Sequence, residues 1–293
     1  MTPFELAEPA TLRAAIALLD PDDVAVRPIA GGTALMLMMK FGVLAPTRLV
    51  SLRAIEPRYA RIAAEPDGSL GIGALATLAA LEHAPALRAA APVLVEALRT
   101  LANVRVRNVA TIGGHLAHAD PHADLPPVLA ALGAELVIAG PAGERRIAAA
   151  DLATGYLETV LRPDELIAEI RVPPQGGRRA AYVKCTTRSA DDWPALGIAV
   201  SLAMAERRLG EARIVIGAAT DRPTRLAAAE AALAGREPDE AALRAAGEAA
   251  AGEAVLIGDA QGSAPYKRQL LRVHLGRAVL KALAAAPAAG AAP

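Results

Sequence analysis

Residues 28–36 read PIAGGTALM, a short strand that runs into a pair of glycines and then into a helix. Gly31 and Gly32 can adopt positive φ and can let backbone N–H groups come close to a phosphate, which the N-terminus of the following helix also favours. Thr33 adds a hydroxyl donor. The stretch matches neither GxGxxG nor GxxxxGK, and a strand–helix turn often needs glycine for its geometry alone. It therefore predicts either a phosphate cradle or a tight turn, and both interpretations stay open.

Residues 108–127, NVATIGGHLAHADPHADLPP, repeat this pattern further along the chain. The pair Gly113 and Gly114 follows a short strand-like approach. That approach is β-branched at Val109, Thr111 and Ile112. Two such turns, each with a nearby threonine, could hold the two phosphates of one dinucleotide cofactor from opposite sides. Asp124 could take part in the same site, or it could serve only as the N-cap of the helical segment DLPPVLAAL.

The same segment also holds four side chains of metal-binding type: His115, His118, Asp120 and His122. Clustered histidine and aspartate can bind zinc or a non-haem metal. The spacing does not match H-E-x-x-H, and no helix is evident that would place the imidazoles on one face. Loop histidines are usually solvated or bonded to nearby backbone, so we expect no metal site here.

Residues 181–197, AYVKCTTRSADDWPALG, form a third candidate segment. Lys184 lies in the middle of a strand, where a lysine either solubilises an edge strand or directs a positive charge at a ligand. For Trp193, the only tryptophan, we favour a core anchor, with a place beside a planar ligand ring as the alternative. Cys185 has no nearby base in the sequence, and we interpret it as a small buried hydrophobe.

The composition of the 293-residue chain limits the class of protein. Lys+Arg and Asp+Glu both number 31, so the formal net charge is zero, and we expect no nucleic-acid partner. Hydrophobic residues make up 54%, but two Phe, four Tyr and one Trp leave the core aliphatic. One cysteine allows no internal disulfide and supplies too few thiolates for an iron–sulfur cluster. Glu5 and Glu8 stand where a signal peptide needs positive charge, so we expect a soluble cytoplasmic protein without a transmembrane segment.

The order of segments predicts two α+β domains. In the first half, helical segments such as ALRAAAPVLVEALRTL alternate with strands, and AELVIAG with PAGERRI predicts a hairpin. The cluster VPPQGG at 172–177 indicates a boundary. Beyond it, AAYVKCT, LGIAVSLAMAE and ARIVIGAAT predict a small meander, which three helix-forming segments follow. We predict domains at 1–175 and 176–284, with a flexible tail at 285–293.

Taken together, these segments resemble one family over nearly the whole chain. The stretches FELAEPATLRAAIALL, AGGTALMLMMK, SLGIGALAT, ATIGGHLAHADPHADLPP, YVKCTTRSADDWPALG and GSAPYKRQLLRVHLGRA occur in the order typical of flavoprotein (medium) subunits of molybdenum hydroxylases. This is the family of xanthine dehydrogenase and carbon monoxide dehydrogenase. The resemblance implies an α+β fold: a two-part N-terminal FAD-binding domain of the vanillyl-alcohol-oxidase-like (PCMH) type, then a small C-terminal domain of antiparallel sheet plus helices.

The resemblance also implies which residues bind FAD. The two turns would lie around the pyrophosphate and the polar portion of the cofactor, two apolar side chains would line it, and a lysine and an aromatic residue would lie near the isoalloxazine. In that order the residues are Ile29, Ala30, Gly31, Gly32, Thr33 and Leu35; Thr111, Ile112, Gly113, Gly114, His115 and Asp124; Leu101 and Ile167; Lys184 and Trp193. Related chains often carry asparagine where this one has His115, which leaves the hydrogen bonds of that position open.

The implied activity is that of an FAD-dependent oxidoreductase subunit, a dehydrogenase of the xanthine, CO, aldehyde or N-heterocycle type that works only with partner subunits. The resemblance places the molybdopterin cofactor in a large partner and the [2Fe-2S] clusters in a small one, and it implies a dimer of heterotrimers. Electrons would pass through FAD to NAD, a quinone or oxygen, and Lys184 would stabilise the reduced, anionic flavin. Two alternatives are a stand-alone flavin oxidoreductase on the same architecture, as in enolpyruvylglucosamine reductases, and a non-catalytic scaffold that has lost FAD.

Overall fold

The computed structural model describes residues 2–287. Its strands are β1 (Glu5–Ala7), β2 (Val26–Ile29), β3 (Arg48–Ser51), β4 (Ile62–Ala64), β5 (Leu70–Gly73), β6 (Glu135–Gly140), β7 (Gly143–Ala148), β8 (Ala153–Gly155), β9 (Glu158–Thr159), β10 (Leu166–Val172), β11 (Arg179–Cys185), β12 (Leu196–Ala205), β13 (Arg208–Gly217) and β14 (Thr224–Arg225). Its α-helices are α1 (Leu12–Ala17), α2 (Leu35–Lys40), α3 (Leu78–His83), α4 (Pro85–Ala90), α5 (Pro92–Arg99), α6 (Val104–Arg107), α7 (Ile112–Ala117), α8 (Leu125–Ala131), α9 (Ala227–Leu233), α10 (Glu240–Glu253) and α11 (Ala264–Ala284).

The first sheet is parallel, with the strand order β1-β3-β2, and it carries the first glycine turn. Helices α1 and α2 connect its strands, because parallel neighbours need a crossover between them. Leu12 and Ile16 of α1 pack with Val50 of β3 in a small core that also includes residues of β6 and β10. The strand, turn and helix predicted from PIAGGTALM are confirmed, since β2 ends at Ile29 and α2 begins at Leu35.

The second sheet is antiparallel, with the order β4-β5-β10-β6-β7. Its predicted hairpin is confirmed as β6 and β7, which turn between Gly140 and Gly143. Apolar side chains of α3, α5 and α8 join those of β5 and β10 in the main core. The segment ALRAAAPVLVEALRTL forms two helices, α4 and α5. The break falls at Ala91 (φ −146°, ψ 67°), because a proline disfavours the helical conformation of the residue before it.

The third sheet is antiparallel and runs in the order β11-β12-β13-β14, which confirms the predicted meander. Helices α9, α10 and α11 pack with it around a second aliphatic core. β13 begins at Arg208, earlier than ARIVIGAAT predicts, because a tight turn with Glu206 at φ +56° lets the strand pair with the end of β12. The α+β architecture is therefore as expected, with a two-part first region and a smaller second one.

The segment VPPQGG lies between β10 and β11, where the chain passes from the second sheet to the third. Tyr182, Ala199 and Val215 of the third sheet also belong to the main core, so the two halves are packed together. No helix among residues 2–287 is both long and apolar enough to cross a membrane. Of the predicted tail, residues 288–293 lie outside the described part of the chain.

Candidate functional site

The two glycine turns, predicted from segments about 80 residues apart, lie against each other. A Cβ atom added to Gly31 would stand 2.3 Å from the carbonyl oxygen of Val109 and 2.8 Å from Cα of Ala110. The second turn is fixed to the end of β5 by two backbone hydrogen bonds, from Ile112 to Ala76 (3.0 Å) and from Gly113 to Ala74 (2.8 Å). One place in the fold therefore combines both turns with the segment that follows β5.

The first turn presents free backbone donors. Gly32 adopts φ +73°, a conformation that L side chains rarely take, and its carbonyl accepts from the N–H of Met36 at 2.9 Å. No side chain caps α2 at Ala34. The N–H groups of Gly32, Thr33 and Ala34 make no hydrogen bond to another described residue. Such a turn can bind an anion through its backbone.

The second turn corrects the strand-like approach predicted for residues 109–112. The short helix α6 precedes it, and Thr111 then caps α7, its Oγ1 accepting from the N–H of Gly114 at 3.2 Å. The glycine pair therefore lies in the first helical turn. A Cβ on Gly113 would lie 2.6 Å from Cβ of Ala74, so this glycine is needed for close packing and not for positive φ.

Two buried polar atoms near these turns lack partners. Nε2 of His115, in α7, and Nε of Arg27, two residues before the end of β2, are shielded from solvent and bonded to nothing in the described chain. Burial, together with the nearby His118, lowers the pKa of His115 from 6.5 to about 4, so its ring is neutral at physiological pH. Buried polar atoms are nearly always hydrogen-bonded, and a bound polar group would satisfy these two. The residues present therefore fit an anionic cofactor.

His115→Asn is expected to remove much of the acid lability of the cofactor-free chain. A histidine that stays neutral in the native state while the unfolded chain protonates near pH 6.5 costs stability as pH falls from about 6.5 to about 4, by up to about 3 kcal/mol. Urea unfolding at pH 7 and pH 4 measures this slope. The exposed His83→Asn is the matched control and should keep the wild-type slope, and an unchanged slope in His115→Asn would contradict the assignment.

A buried ion pair joins Asp124, at the start of α8, to Lys184 of β11. Nζ of Lys184 donates to Oδ2 of Asp124 at 2.9 Å and to the carbonyl oxygen of Thr100 at 2.7 Å, and the two charged side chains are only 7% and 5% exposed. The hydroxyl of Tyr182 donates to Oδ1 of Asp124 at 2.6 Å. Burial raises the pKa of Asp124, against the opposing effect of the ammonium and the hydroxyl, and burial beside this carboxylate raises the pKa of Tyr182 well above its usual range.

This geometry corrects two interpretations. Asp124 does not cap α8, because its backbone is already helical (φ −76°, ψ −35°) and its carboxylate points to β11 instead. Lys184 does not solubilise an edge strand, because its charge is buried against that carboxylate. Leu101 and Ile167 lie in the main core, each less than a tenth exposed, and their contact with a cofactor stays a prediction.

Trp193 is not a core anchor. Its side chain is 55% exposed, and its ring stacks on that of His122 with 5.1 Å between the centroids and 26° between the planes. The His122 ring is held between two carboxylates, with Nδ1 3.2 Å from Asp120 and Nε2 2.9 Å from Asp259. No three His, Cys, Asp or Glu side chains within residues 2–287 are grouped as a metal site would need. Cys185 is partly buried, and burial raises its pKa to about 11, which agrees with an unreactive thiol.

Four residues of this region carry no prediction from the sequence: Arg27, Tyr182, Asp259 and Lys267. Tyr182 had a signal, because it lies two residues before Lys184 in β11 and side chains two residues apart face the same side of a sheet. Lys267 lies in the long helix α11 and is fully buried. Asp259 stands in a loop that no sequence pattern connects with residue 122, since 137 residues separate the two.

Comparison with known proteins gives two family matches that together cover most of the chain. The family described as "FAD binding domain in molybdopterin dehydrogenase" matches residues 2–175, and the "CO dehydrogenase flavoprotein C-terminal domain" matches residues 181–282. The carbon monoxide dehydrogenase medium chain of Afipia carboxidovorans is 33% identical over 284 residues, 97% of this chain and 98% of that one.

Two solved structures are similar over the same extent. One is a carbon monoxide dehydrogenase from Hydrogenophaga pseudoflava that lacks the Mo-pyranopterin moiety of the molybdenum cofactor; the TM-score is 0.92 and the identity 34%, covering 97% of this chain and 99% of that one. The other is quinoline 2-oxidoreductase from Pseudomonas putida 86, with a TM-score of 0.90 and 31% identity, covering 96% and 97%.

Proposed function

The chain belongs to the flavoprotein (medium) subunits of the molybdenum hydroxylases, and from this premise we propose that it is the electron-transfer subunit of a three-component enzyme. It has the FAD-binding domain of that family. The observation that carries the proposal is the contact between the two glycine turns, with free backbone donors on one and the unpartnered Nε2 of His115 on the other.

In this proposal the turns bind the phosphates of FAD. The N–H groups of Gly32, Thr33 and Ala34 supply donors from the first turn. Gly114 is exposed and leaves open space beside the second turn, so the cofactor can approach its backbone. His115, neutral and with a buried Nε2, supplies a hydrogen bond without a charge. The remaining residues named by the resemblance, from Ile29 to Trp193, complete the proposed site.

FAD supplies the exchange between one-electron and two-electron transfer, which few side chains can perform. The chain's own contribution is to bind, orient and tune the cofactor. Asp124 is fixed by Tyr182 and Lys184, so its position is set before any cofactor binds. Lys184 tunes the flavin as half of an ion pair and not as a free cation.

The proposed partner subunits are inferred from the proteins to which this chain is similar. The matches include subunits of heteromeric dehydrogenases, such as the alpha subunit of a 6-hydroxypseudooxynicotine dehydrogenase complex in Paenarthrobacter nicotinovorans. We propose a large molybdopterin subunit and a small [2Fe-2S] subunit for this chain, assembled as a dimer of heterotrimers in the cytoplasm. The single cysteine supports this division, because the clusters need thiolates that this chain lacks. We further propose that the FAD-binding domain ends near residue 175.

Titration of FAD into the cofactor-free chain tests the proposal. We expect saturable binding with one FAD per chain, and reduction of the bound flavin only when both partner subunits and a substrate are present. Turnover by the isolated chain with NADPH would indicate a stand-alone oxidoreductase. Absence of saturable binding in a chain with native circular dichroism would indicate a scaffold and overturn the proposal.

A further inference from the structure

His122 joins the two halves of the molecule. It lies on the loop between α7 and α8, and its ring nitrogens lie at hydrogen-bond distance from Asp120 on its own loop and from Asp259, which precedes α11. Because a carboxylate only accepts hydrogen bonds, both ring nitrogens are required as donors, and that is the state of an imidazolium. The two carboxylates therefore favour the protonated, positively charged form of the His122 ring.

The carboxylate of Asp259 is fixed independently of His122. Nζ of the fully buried Lys267 donates to Oδ2 of Asp259 at 2.6 Å and to the carbonyl oxygen of Ala218 at 2.9 Å. The backbone N–H of Ala218 in turn donates to the carbonyl oxygen of Pro121, the residue before His122, at 2.7 Å. Asp259 and the loop that carries His122 thus belong to one hydrogen-bond network, which fixes the position of the imidazole.

The indole of Trp193 lies on this ring. A cation within about 6 Å of an indole centroid is attracted by its π face, and the separation here is 5.1 Å. Trp193 is otherwise half exposed, in a loop that Asp192 orders locally by accepting from the Trp193 N–H at 2.8 Å. Within residues 2–287, His122 is the one aromatic ring stacked on the indole.

We propose that His122 is a positioning residue, whose imidazolium, held between Asp120 and Asp259, fixes the Trp193 indole at the edge of the FAD site. That the indole borders the flavin rests on the proposed function. The anchor itself, by which we mean the stacking of the His122 imidazolium on the Trp193 indole, is a property of this chain. The ionisable groups that contact His122 are Asp120 from its own loop and Asp259 from the C-terminal half. Each carboxylate also has a second neighbour: His118 lies 4.0 Å from Asp120, and Lys267 binds Asp259.

The charge on His122 persists to higher pH than the charge on an ordinary histidine. Burial alone would lower its pKa, but hydrogen bonds and charge interactions with Asp120 and Asp259 outweigh that effect and raise the pKa above 6.5. The anchor is therefore present below the ordinary histidine range and is lost as pH rises through the raised pKa.

The single tryptophan makes this measurable in the full chain without FAD. An imidazolium in contact with an indole quenches its fluorescence, and the neutral ring quenches far less. We expect Trp193 emission to rise along a one-proton titration curve as pH increases from the ordinary histidine range through the raised pKa of His122. In His122→Gln the emission should be high and independent of pH. Acrylamide should then quench the indole more readily than in the wild type.

Asp259→Asn distinguishes an electrostatic anchor from mere packing. With one carboxylate neutralised, the midpoint of the fluorescence titration should move to lower pH, whereas loss of packing alone would not shift it. Should this variant fail to fold because it leaves Lys267 without its carboxylate, Asp120→Asn makes the same test from the other nitrogen. His83→Gln, at an exposed histidine of α3, is the matched control and should keep the wild-type midpoint.

Emission that does not change with pH in the wild type, or a titration that survives in His122→Gln, would overturn the anchor. The outcome is separable from that of FAD binding, because the fluorescence is read without cofactor. A normal titration together with failed FAD binding removes the proposed function and leaves the anchor in place. FAD binding without a fluorescence titration supports the proposed function and removes the anchor.

Discussion

Gly114→Val is expected to fold normally and to lose FAD, with affinity at least about 100-fold weaker, which corresponds to about 2.7 kcal/mol. Gly114 is exposed, and a Cβ there would meet only Oγ1 of Thr111, at 3.1 Å, which a small rotation of that side chain relieves. The chain itself therefore has little need of glycine at this position. An isopropyl group would instead fill the space in which the cofactor is proposed to approach the second turn. Fluorescence titration of FAD against the cofactor-free chain measures the effect.

The control is Gly252→Val, at a helical glycine of α10 that also faces open space. It should bind FAD as the wild type does. Gly31→Val would be a poor test, because its side chain would collide with the backbone of Val109 and push the two turns apart. Wild-type affinity in a folded Gly114→Val would remove the second turn from the proposed site.

Lys184→Met is expected to lower the free energy of unfolding by roughly 3–5 kcal/mol at neutral pH, because it leaves the Asp124 carboxylate buried without its ammonium. The pH dependence has a definite sign. Without the lysine, the pKa of Asp124 rises further, so the loss of stability is largest at pH 7 and shrinks as acid protonates the carboxyl. Urea unfolding of the cofactor-free variant and wild type at about pH 7 and about pH 5 measures both effects.

The double variant Lys184→Met/Asp124→Asn controls for packing. It should recover part of the loss and show no extra pH dependence, since no buried charge remains. The single variants also separate tuning of the flavin from stability in the assembled enzyme. Loss of the cation should lower the reduction potential of bound FAD, whereas Asp124→Asn should raise it. A shift of both potentials in the same direction, or of neither, would show that the pair acts on structure alone.

Much of the local structure was predictable because it depends on neighbours in sequence. The hairpin of β6 and β7, the meander of the third sheet and the strand–turn–helix at the first glycine pair all follow from hydrophobic period and turn residues. The predictions that failed rested on sequence neighbours alone, whereas the structure of those residues depends on contacts with distant parts of the chain. Asp124 has the type and place of an N-cap, yet its carboxylate is drawn to Lys184, 60 residues further on.

The prediction that Trp193 is a core anchor failed for the same reason. A lone tryptophan between aspartates and a proline favours burial by composition, but no local feature indicates that an imidazole lies ready to stack with it. Lys267 differs in the opposite direction, because it is a charged residue that is fully buried. Its helix is evident from the sequence, but its burial is not. Charged residues enter the interior only with partners, and those partners come from distant parts of the chain.

The amino-acid sequence by itself determined most of the elements, the aliphatic core, the family and the position of the two glycine pairs, because periodicity, turn chemistry and motif order depend on adjacent residues. Only the tertiary structure decided which polar groups meet: Gly31 against Val109, Lys184 against Asp124, and His122 between Asp120 and Asp259. Those contacts depend on how the sheets pack, and a hydrogen bond forms or fails within a few tenths of an ångström, a precision that no spacing along the chain encodes.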